Sequence, residues 1–242
     1  MKNQHDLIKE SLDIECEVTS NQEVVTTTHR LIGDRSKYHV LPTKTSIKHN
    51  DLSVISTETL QQVLSGQFDS EIDSVMVIDS RYPYEYEGGH IQDAENLYTK
   101  EQVFEKFLSS DKLKKMTTKA NLNGKRAVII FHCEFSSERG PGMLRFLRNQ
   151  DRTLNKDSYP NLFYPELYLL EGGYKAFYEQ NKDQCEPRTY KPMLHADHVY
   201  DLKHFRAKTK TWNRQGSAVN MSVNGKSCFK SRLQRFPRST LF

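Results

Sequence analysis

Cys133 and Arg139 lie six positions apart, with an apolar run before them and a helical pattern after them. Such a pair suits nucleophilic attack on an anion, because a helix N-terminus beside an arginine lowers the pKa of a cysteine thiol to roughly 3.5–7.5. The planar guanidinium can bind two phosphate oxygens. Five intervening residues allow the backbone N–H groups to curl around one tetrahedral anion. The spacing therefore predicts a phosphatase that works through a phosphocysteine intermediate, which water then hydrolyses.

The strand–loop–helix context supports this interpretation more than the spacing does, because arginine is common and chance matches occur. The other three cysteines have no arginine six positions on; they are Cys16, Cys185 and Cys228. A buried structural cysteine followed by a surface arginine remains an alternative at this level. The residues predicted to bind phosphate are Glu134, Phe135, Ser136, Ser137, Glu138 and Arg139.

The proton donor for the leaving oxygen is not decided by the spacing. Glu134 and Glu138 both lie in the loop, and either could act as a general acid if its pKa were raised. Asp79 is a third candidate, but a buried carboxylate that binds Arg81 or backbone N–H groups is the simpler expectation. A thiolate needs no base, so we expect His132 to be a structural residue that bonds the loop.

Strands that alternate with helices must position this loop. Continuous apolar runs predict buried strands over 75–78, 127–131 and 167–170. Apolar residues three or four apart predict helices around 60–64, 103–108, 143–147 and 174–178. The alternation predicts a central parallel sheet with helices on both faces. Ligands in such sheets bind at the carboxyl ends of the strands, and Cys133 directly follows the end of the clearest strand.

The composition is that of a globular protein with some polar excess, with 36% hydrophobic residues, 27% charged residues and a mean hydropathy of −0.74. No apolar run approaches the roughly 18–20 residues that cross a bilayer, so we expect no membrane contact. The first residues lack the apolar stretch of a secretory signal. Four cysteines without paired spacing favour a reducing intracellular compartment.

Charge divides the 242 residues into three predicted regions. Residues 1–30 carry three basic and six acidic residues and show no sustained period, which predicts a disordered acidic arm. Residues 31–212 form the predicted catalytic domain. Residues 213–242 carry six basic residues and no acid, which predicts a basic, mostly disordered tail. Its basic residues are scattered without stacking aromatics, so a solvated tail is favoured over nucleic-acid binding.

Several long motifs in one order resemble the M-phase inducer (cell-division-cycle) dual-specificity phosphatase family. The run from His132 to Pro141 resembles that family's active-site loop, and Asp79 with the run from Arg81 to Ile91 resembles a second motif. Shorter matches are Leu31-Ile32-Gly33-Asp34, Tyr164-Pro165-Glu166-Leu167-Tyr168, Gly172-Gly173-Tyr174 and Cys185-Glu186-Pro187. The resemblance covers roughly Leu31 to Trp212.

The resemblance implies a rhodanese-like α/β fold and a phosphatase that uses no metal or other cofactor. It implies that Cys133 is the nucleophile and Arg139 the phosphate clamp. The implied substrates are the inhibitory phosphothreonine and phosphotyrosine of cyclin-dependent kinase–cyclin complexes, whose removal promotes mitosis. Arg148 and Arg152 match the family's partner-docking region. A monomer in the cytoplasm and nucleus is expected.

Two positions depart from the family pattern. Ser80 stands where the family usually has a second cysteine, so oxidised Cys133 is expected to lack a disulfide partner there and to reach irreversible states more readily. Gly142 stands where a basic residue is common, so local attraction for phosphate is expected to be weaker. Two alternatives stay open: a rhodanese-like sulfurtransferase, whose loop is typically one residue shorter, and a non-catalytic module that binds kinases.

Overall fold

The computed structural model describes residues 39–109 and 125–216, with side chains in the last helix described as far as residue 210. The predicted acidic arm and most of the predicted basic tail lie outside these residues. The strands are β1 (Ser53–Ile55), β2 (Ile72–Asp79), β3 (His90–Ile91), β4 (Glu95–Asn96), β5 (Arg126–His132), β6 (Glu166–Leu170) and β7 (Cys185–Glu186). The α-helices are α1 (Thr57–Leu64), α2 (Pro83–Glu87), α3 (Lys100–Leu108), α4 (Arg139–Leu154), α5 (Gly173–Gln180) and α6 (Val199–Gly216).

Five parallel strands form the central sheet in the order β1-β6-β5-β2-β4. The central pair, β2 and β5, is in register so that Asp79 lies opposite His132 at the carboxyl ends of both strands. A small antiparallel pair, β3 with β7, lies outside this sheet. The residues that follow β2 and β5 therefore meet at one edge, which is where the sequence places Cys133.

Side chains along each central strand alternate between two hydrophobic clusters, one on each face of the sheet. Val128 and Ile130 of β5 belong to one cluster, and Ile129 and Phe131 belong to the other. The first cluster includes apolar residues of α1 and α5, and the second includes those of α3 and α4. Successive residues of a strand point to opposite faces, so a continuous apolar run is what a sheet covered on both sides requires. The predicted parallel sheet with helices on both faces is confirmed.

Predicted elements and observed elements agree in type and differ at their ends. The Ser56 side chain accepts a hydrogen bond from the Thr59 N–H at 3.2 Å, as an N-cap should, and α1 ends at Leu64, just before Gly66. The last helix reaches Gly216, four residues beyond the domain boundary predicted at Trp212. Within the described residues, no helix combines the length and apolar character that a membrane span needs.

Candidate active site

The loop between β5 and α4 places Cys133 at the carboxyl edge of the sheet, where its side chain is almost fully buried. Gly140, in the first turn of α4, packs directly on the end of β5. A Cβ atom at this position would lie 2.9 Å from the carbonyl carbon of His132. The glycine therefore lets the start of the helix approach the strand end, which aims the positive end of α4 at Cys133.

The first two carbonyl groups of the loop are held away from its centre by the start of α5. The Tyr174 N–H donates to the Cys133 carbonyl at 2.9 Å, and the Lys175 N–H donates to the Glu134 carbonyl at 3.1 Å. A Cβ on Gly173 would lie 2.4 Å from the Cys133 oxygen, and Gly173 has φ 64°, so a glycine is required there. In a trans peptide the N–H points opposite to the carbonyl, so the next N–H groups face into the loop.

Arg139 is held by a carboxylate that is distant in sequence. Its Nη1 donates to Glu85 Oε2 at 2.5 Å and its Nη2 donates to Glu85 Oε1 at 2.9 Å. The guanidinium also lies 5.0 Å from the centre of the Tyr82 ring. Burial works to lower the pKa of Arg139, but the hydrogen bonds and charge of Glu85 raise it, so the arginine stays charged. This two-point contact orients the guanidinium of Arg139, while 21% of the Arg139 side chain remains exposed.

Asp79 is a structural carboxylate, as expected from the sequence. Both of its oxygens accept hydrogen bonds from Arg81, and neither side chain is exposed. Arg81 also donates to the carbonyl groups of Glu85 and Gly89. Burial opposes ionisation of Asp79, but the positive charge of Arg81 and its hydrogen bonds override it and lower the pKa of Asp79 to about 2. A carboxyl that remains ionised cannot donate a proton near neutral pH.

The two loop glutamates have different surroundings. Glu134 is buried and accepts hydrogen bonds from the Tyr190 hydroxyl at 2.5 Å and from the Met193 N–H at 3.4 Å. Glu138 is exposed and immediately precedes α4. It lines a cavity of about 270 Å³ beside the loop. The cavity residues are Tyr82, Tyr98, Thr99, Lys100, Glu138, Arg139, Gly142, Met143 and Thr209.

Gly142 stands where the family resemblance leads us to expect a basic residue, and it borders the cavity rather than a packed contact. A Cβ atom at this position would meet no heavy atom within 4 Å. A side chain would therefore extend into open space beside Glu138 and Arg139, and a basic residue there would add positive charge to the cavity wall. The absence of that charge agrees with weaker local attraction for phosphate, which stays a prediction.

Ser80 and His132 lie beneath the loop at the ends of the two central strands. The Ser80 N–H donates to the His132 carbonyl at 2.9 Å, and the hydroxyl of Ser80 is buried without a hydrogen-bond partner among the described residues. The Nδ1 of His132 lies 3.4 Å from the Cys133 carbonyl oxygen, and burial lowers the pKa of His132. His132 is therefore neutral near pH 7. The expected oxidation behaviour of Cys133 next to Ser80 stays a prediction.

Arg148 and Arg152, the predicted docking residues, both lie on α4 and are partly buried. The guanidinium of Arg148 donates to the Tyr164 carbonyl at 2.8 Å and to the Pro165 carbonyl at 2.9 Å. Its side chain thus joins α4 to the segment that leads into β6. These contacts give Arg148 a structural role, and docking by either arginine stays a prediction.

The sequence interpretation gave no role to Glu85 or Tyr190. Glu85 lies 54 positions from Arg139, and Tyr190 lies 56 positions from Glu134. Neither pair has a local spacing that could reveal it. Glu85 follows Pro83 in the first turn of a helix, where an acidic residue is favourable. This position is only a weak signal, because it would be favourable without any contact to Arg139.

Comparison with known proteins agrees with this geometry. Residues 59–180 match the model of the rhodanese-like domain. The chain is 50% identical to the M-phase inducer phosphatase of Drosophila melanogaster over 77% of this chain and 39% of that protein. It is 51% identical to M-phase inducer phosphatase 1 of Rattus norvegicus, over 79% of this chain and 34% of the relative. It is also 51% identical to M-phase inducer phosphatase 3 of Bos taurus, over 75% of this chain and 36% of that protein.

The chain thus spans less than half the length of these relatives. The matched rhodanese-like region contains the strand, the loop and the helix that carry Cys133 and Arg139. Together with the parallel sheet, these matches establish that the chain belongs to the rhodanese-like family and is a homologue of the M-phase inducer phosphatases.

Proposed function

We propose that the protein is a cysteine-dependent protein phosphatase of dual specificity that promotes cell-cycle progression. The observation that carries this proposal is the loop from Cys133 to Arg139, whose first carbonyl groups are bonded outward and whose arginine is oriented by Glu85. The inward N–H groups, the start of α4 and the guanidinium together favour a bound dianion. The relatives named as M-phase inducer phosphatases support the cell-cycle role.

The proposed reaction needs no metal or other cofactor. The Cys133 thiolate attacks phosphorus, forming an S–P bond as the P–O bond to the substrate breaks, and the leaving oxygen takes a proton. Water then attacks phosphorus and breaks the S–P bond. This step releases inorganic phosphate, returns the thiolate and gives its proton to the base that had been the acid. Arg139 and the loop N–H groups stabilise charge on the phosphoryl oxygens throughout.

Of the two loop glutamates, Glu138 is the better proposed general acid. Its exposed carboxyl reaches the cavity that Arg139 also lines, where a leaving group could lie. Glu134 is engaged by Tyr190 and Met193, which suits a residue that positions the 190–193 segment. A Glu138→Gln variant should lower kcat about 10²- to 10⁴-fold. The same change at Glu134 should have a smaller effect on kcat and a larger one on stability.

The proposed substrates are the neighbouring phosphothreonine and phosphotyrosine of cyclin-dependent kinases in complex with their cyclins. The proposed sites of action are the cytoplasm and nucleus, and the proposed form is a monomer. The names of the relatives support a cell-cycle substrate. Arg148 and Arg152 remain the proposed docking residues for the kinase.

Dephosphorylation of a doubly phosphorylated kinase peptide and of the whole kinase–cyclin complex tests this proposal. Wild-type protein should act on both and prefer the complex, whereas Cys133→Ser should act on neither. Wild-type inactivity on both substrates would reject the proposed function. Equal activity on peptide and complex would reject remote docking but would leave the proposed phosphatase reaction standing.

A sulfurtransferase is the second candidate, because the matched family model is the rhodanese-like domain. The loop has five residues between Cys133 and Arg139, one more than is typical of a sulfurtransferase, and this length favours phosphate as the bound group. Transfer of sulfur from thiosulfate to cyanide at a rate above that of phosphate release would favour this candidate instead. A non-catalytic kinase-binding module would be supported if Cys133→Ser had the same cellular effect as wild type.

A further inference from the structure

Ser136 lies in the middle of the phosphate-binding loop in an unusual backbone conformation. Its φ is 50°, in the left-handed region that costs a residue with a side chain roughly 1–2 kcal/mol. A conformation of this kind persists only where surrounding contacts hold it. Backbone N–H groups of α5 bond the carbonyl groups of Cys133 and Glu134, whereas the carbonyl group of Ser136 is held by a different contact.

That contact comes from His49, which lies 87 positions earlier in the chain and is 7% exposed. Its Nε2 lies 3.1 Å from the Ser136 carbonyl oxygen. Its Nδ1 lies 3.3 Å from Nη2 of Arg145. A guanidinium can only donate, so Nδ1 must be the acceptor and Nε2 must carry the hydrogen that it donates to Ser136.

Arg145 is itself held by Asp51. Its Nε donates to Asp51 Oδ2 at 2.7 Å and its Nη2 donates to Asp51 Oδ1 at 2.6 Å. Burial and the nearby charge of Arg145 lower the pKa of His49, which keeps the ring neutral, as this pattern of donors and acceptors requires. A directed chain of contacts therefore runs from Asp51 at the surface, through Arg145 and His49, to the carbonyl of Ser136.

We propose that His49 is a positioning residue of the phosphate-binding loop, and that Arg145 and Asp51 fix the tautomer it needs. By bonding the Ser136 carbonyl on the outside, His49 turns the Ser137 N–H, which belongs to the same peptide unit, towards the bound anion. The ligand concerned is a tetrahedral dianion of the phosphate class. This role deepens the proposed function, because it concerns the same loop.

Binding of tungstate, a tetrahedral dianion, tests the role without depending on turnover. Calorimetry in a Cys133→Ser background compares the parent with His49→Phe, which keeps a ring but has no donor. The expected result is a dissociation constant raised about ten- to hundredfold by His49→Phe, since small misplacements of binding groups are costly. His49→Gln places an N–H₂ group near the former Nε2 and should stay within about threefold of the parent.

Arg145→Met should weaken tungstate binding about three- to tenfold, because the His49 ring can then adopt the other tautomer. His39→Phe is the matched control. It removes a partly buried histidine whose ring bonds Ser53 Oγ at 3.1 Å at the start of β1 and not the carbonyl of Ser136. This variant should bind tungstate as the parent does.

Urea unfolding of each variant separates loop positioning from general stability. His49→Gln and His49→Phe should differ clearly in tungstate affinity even where their free energies of unfolding agree. Parent-like binding by His49→Phe, or equal weakening by His49→Gln and His49→Phe, would overturn the proposal. Wild-type protein that binds tungstate but hydrolyses no phosphate ester would instead reject the proposed function and leave the role of His49 standing.

Discussion

Two arginine–carboxylate pairs lie next to each other near the ends of the central strands, and they differ in burial and in their distance along the sequence. Asp79 and Arg81 are two positions apart and wholly buried, and Arg81 also donates to two backbone carbonyls. Glu85 and Arg139 are 54 positions apart, and the arginine is partly exposed beside the cavity. The first pair is closed to any ligand, whereas the second presents an oriented guanidinium to one.

Glu85 joins the two pairs. Its carbonyl oxygen accepts a hydrogen bond from Arg81, and its carboxylate accepts two from Arg139. The closed pair thus stabilises the short helix α2 that carries Glu85, and Glu85 orients the open pair. We expect changes in the closed pair to affect stability first and changes in the open pair to affect activity first.

Asp79→Asn should have the largest effect on stability. The variant leaves the charge of Arg81 buried without a counter-ion, which costs about 3–5 kcal/mol. Urea unfolding measures the loss. Asp73→Asn is the matched control, because Asp73 is an exposed residue of the same strand, and its change should stay within about 0.5 kcal/mol. An equal small effect of both changes would contradict the structural role of Asp79.

Arg139→Lys should lower kcat about 10²- to 10³-fold, since lysine keeps the charge but cannot make the two-point contact with phosphate or Glu85. Its free energy of unfolding should change much less than that of Asp79→Asn. Steady-state kinetics with a phosphotyrosine peptide checks the first expectation, and urea unfolding checks the second. Arg188→Lys, in an exposed ion pair with Asp183, serves as the control and should be silent in both measurements.

Acid should weaken the closed pair through Asp79. Its folded pKa of about 2 lies below its ordinary value of 3.8, so the stabilisation is fully present above pH about 4. It is lost as the pH falls from there towards 2. Wild-type protein should lose roughly 2 kcal/mol more than Asp79→Asn over that window. Parallel losses of both proteins in urea unfolding at pH 5, 4, 3 and 2 would show that another carboxyl governs acid unfolding.

Glu85→Gln should have the smallest effect of this series. The amide keeps one acceptor for Arg139 but loses the charge, so the guanidinium is held less firmly. We expect kcat/KM to fall about tenfold, corresponding to about 1.4 kcal/mol of transition-state stabilisation. Kinetics with the same peptide measures this change. A loss as large as that of Arg139→Lys would mean that phosphate contact depends entirely on the Glu85 contact.

Much of the fold follows from local patterns. The apolar run 127–131 predicts β5 because a strand covered on both faces needs apolar side chains on both. Helix α6 was not predicted, because its sequence is mostly polar and its apolar side chains cover only a small aromatic cluster. Phe205 stacks on Tyr82 there with ring centres 5.6 Å apart, a contact between segments 123 positions apart. No periodic pattern in either segment predicts this contact.

The thiol, the arginine, the spacing between them and the flanking strand and helix can all be predicted from the chain, because they depend on neighbouring residues. The role of each carboxylate follows from the three-dimensional arrangement instead. Asp79 is saturated by Arg81, Glu134 is occupied by Tyr190, Glu85 orients Arg139, and Glu138 is left facing the cavity. These assignments depend on burial and on partners brought together by strand order, and neither is encoded in local spacing.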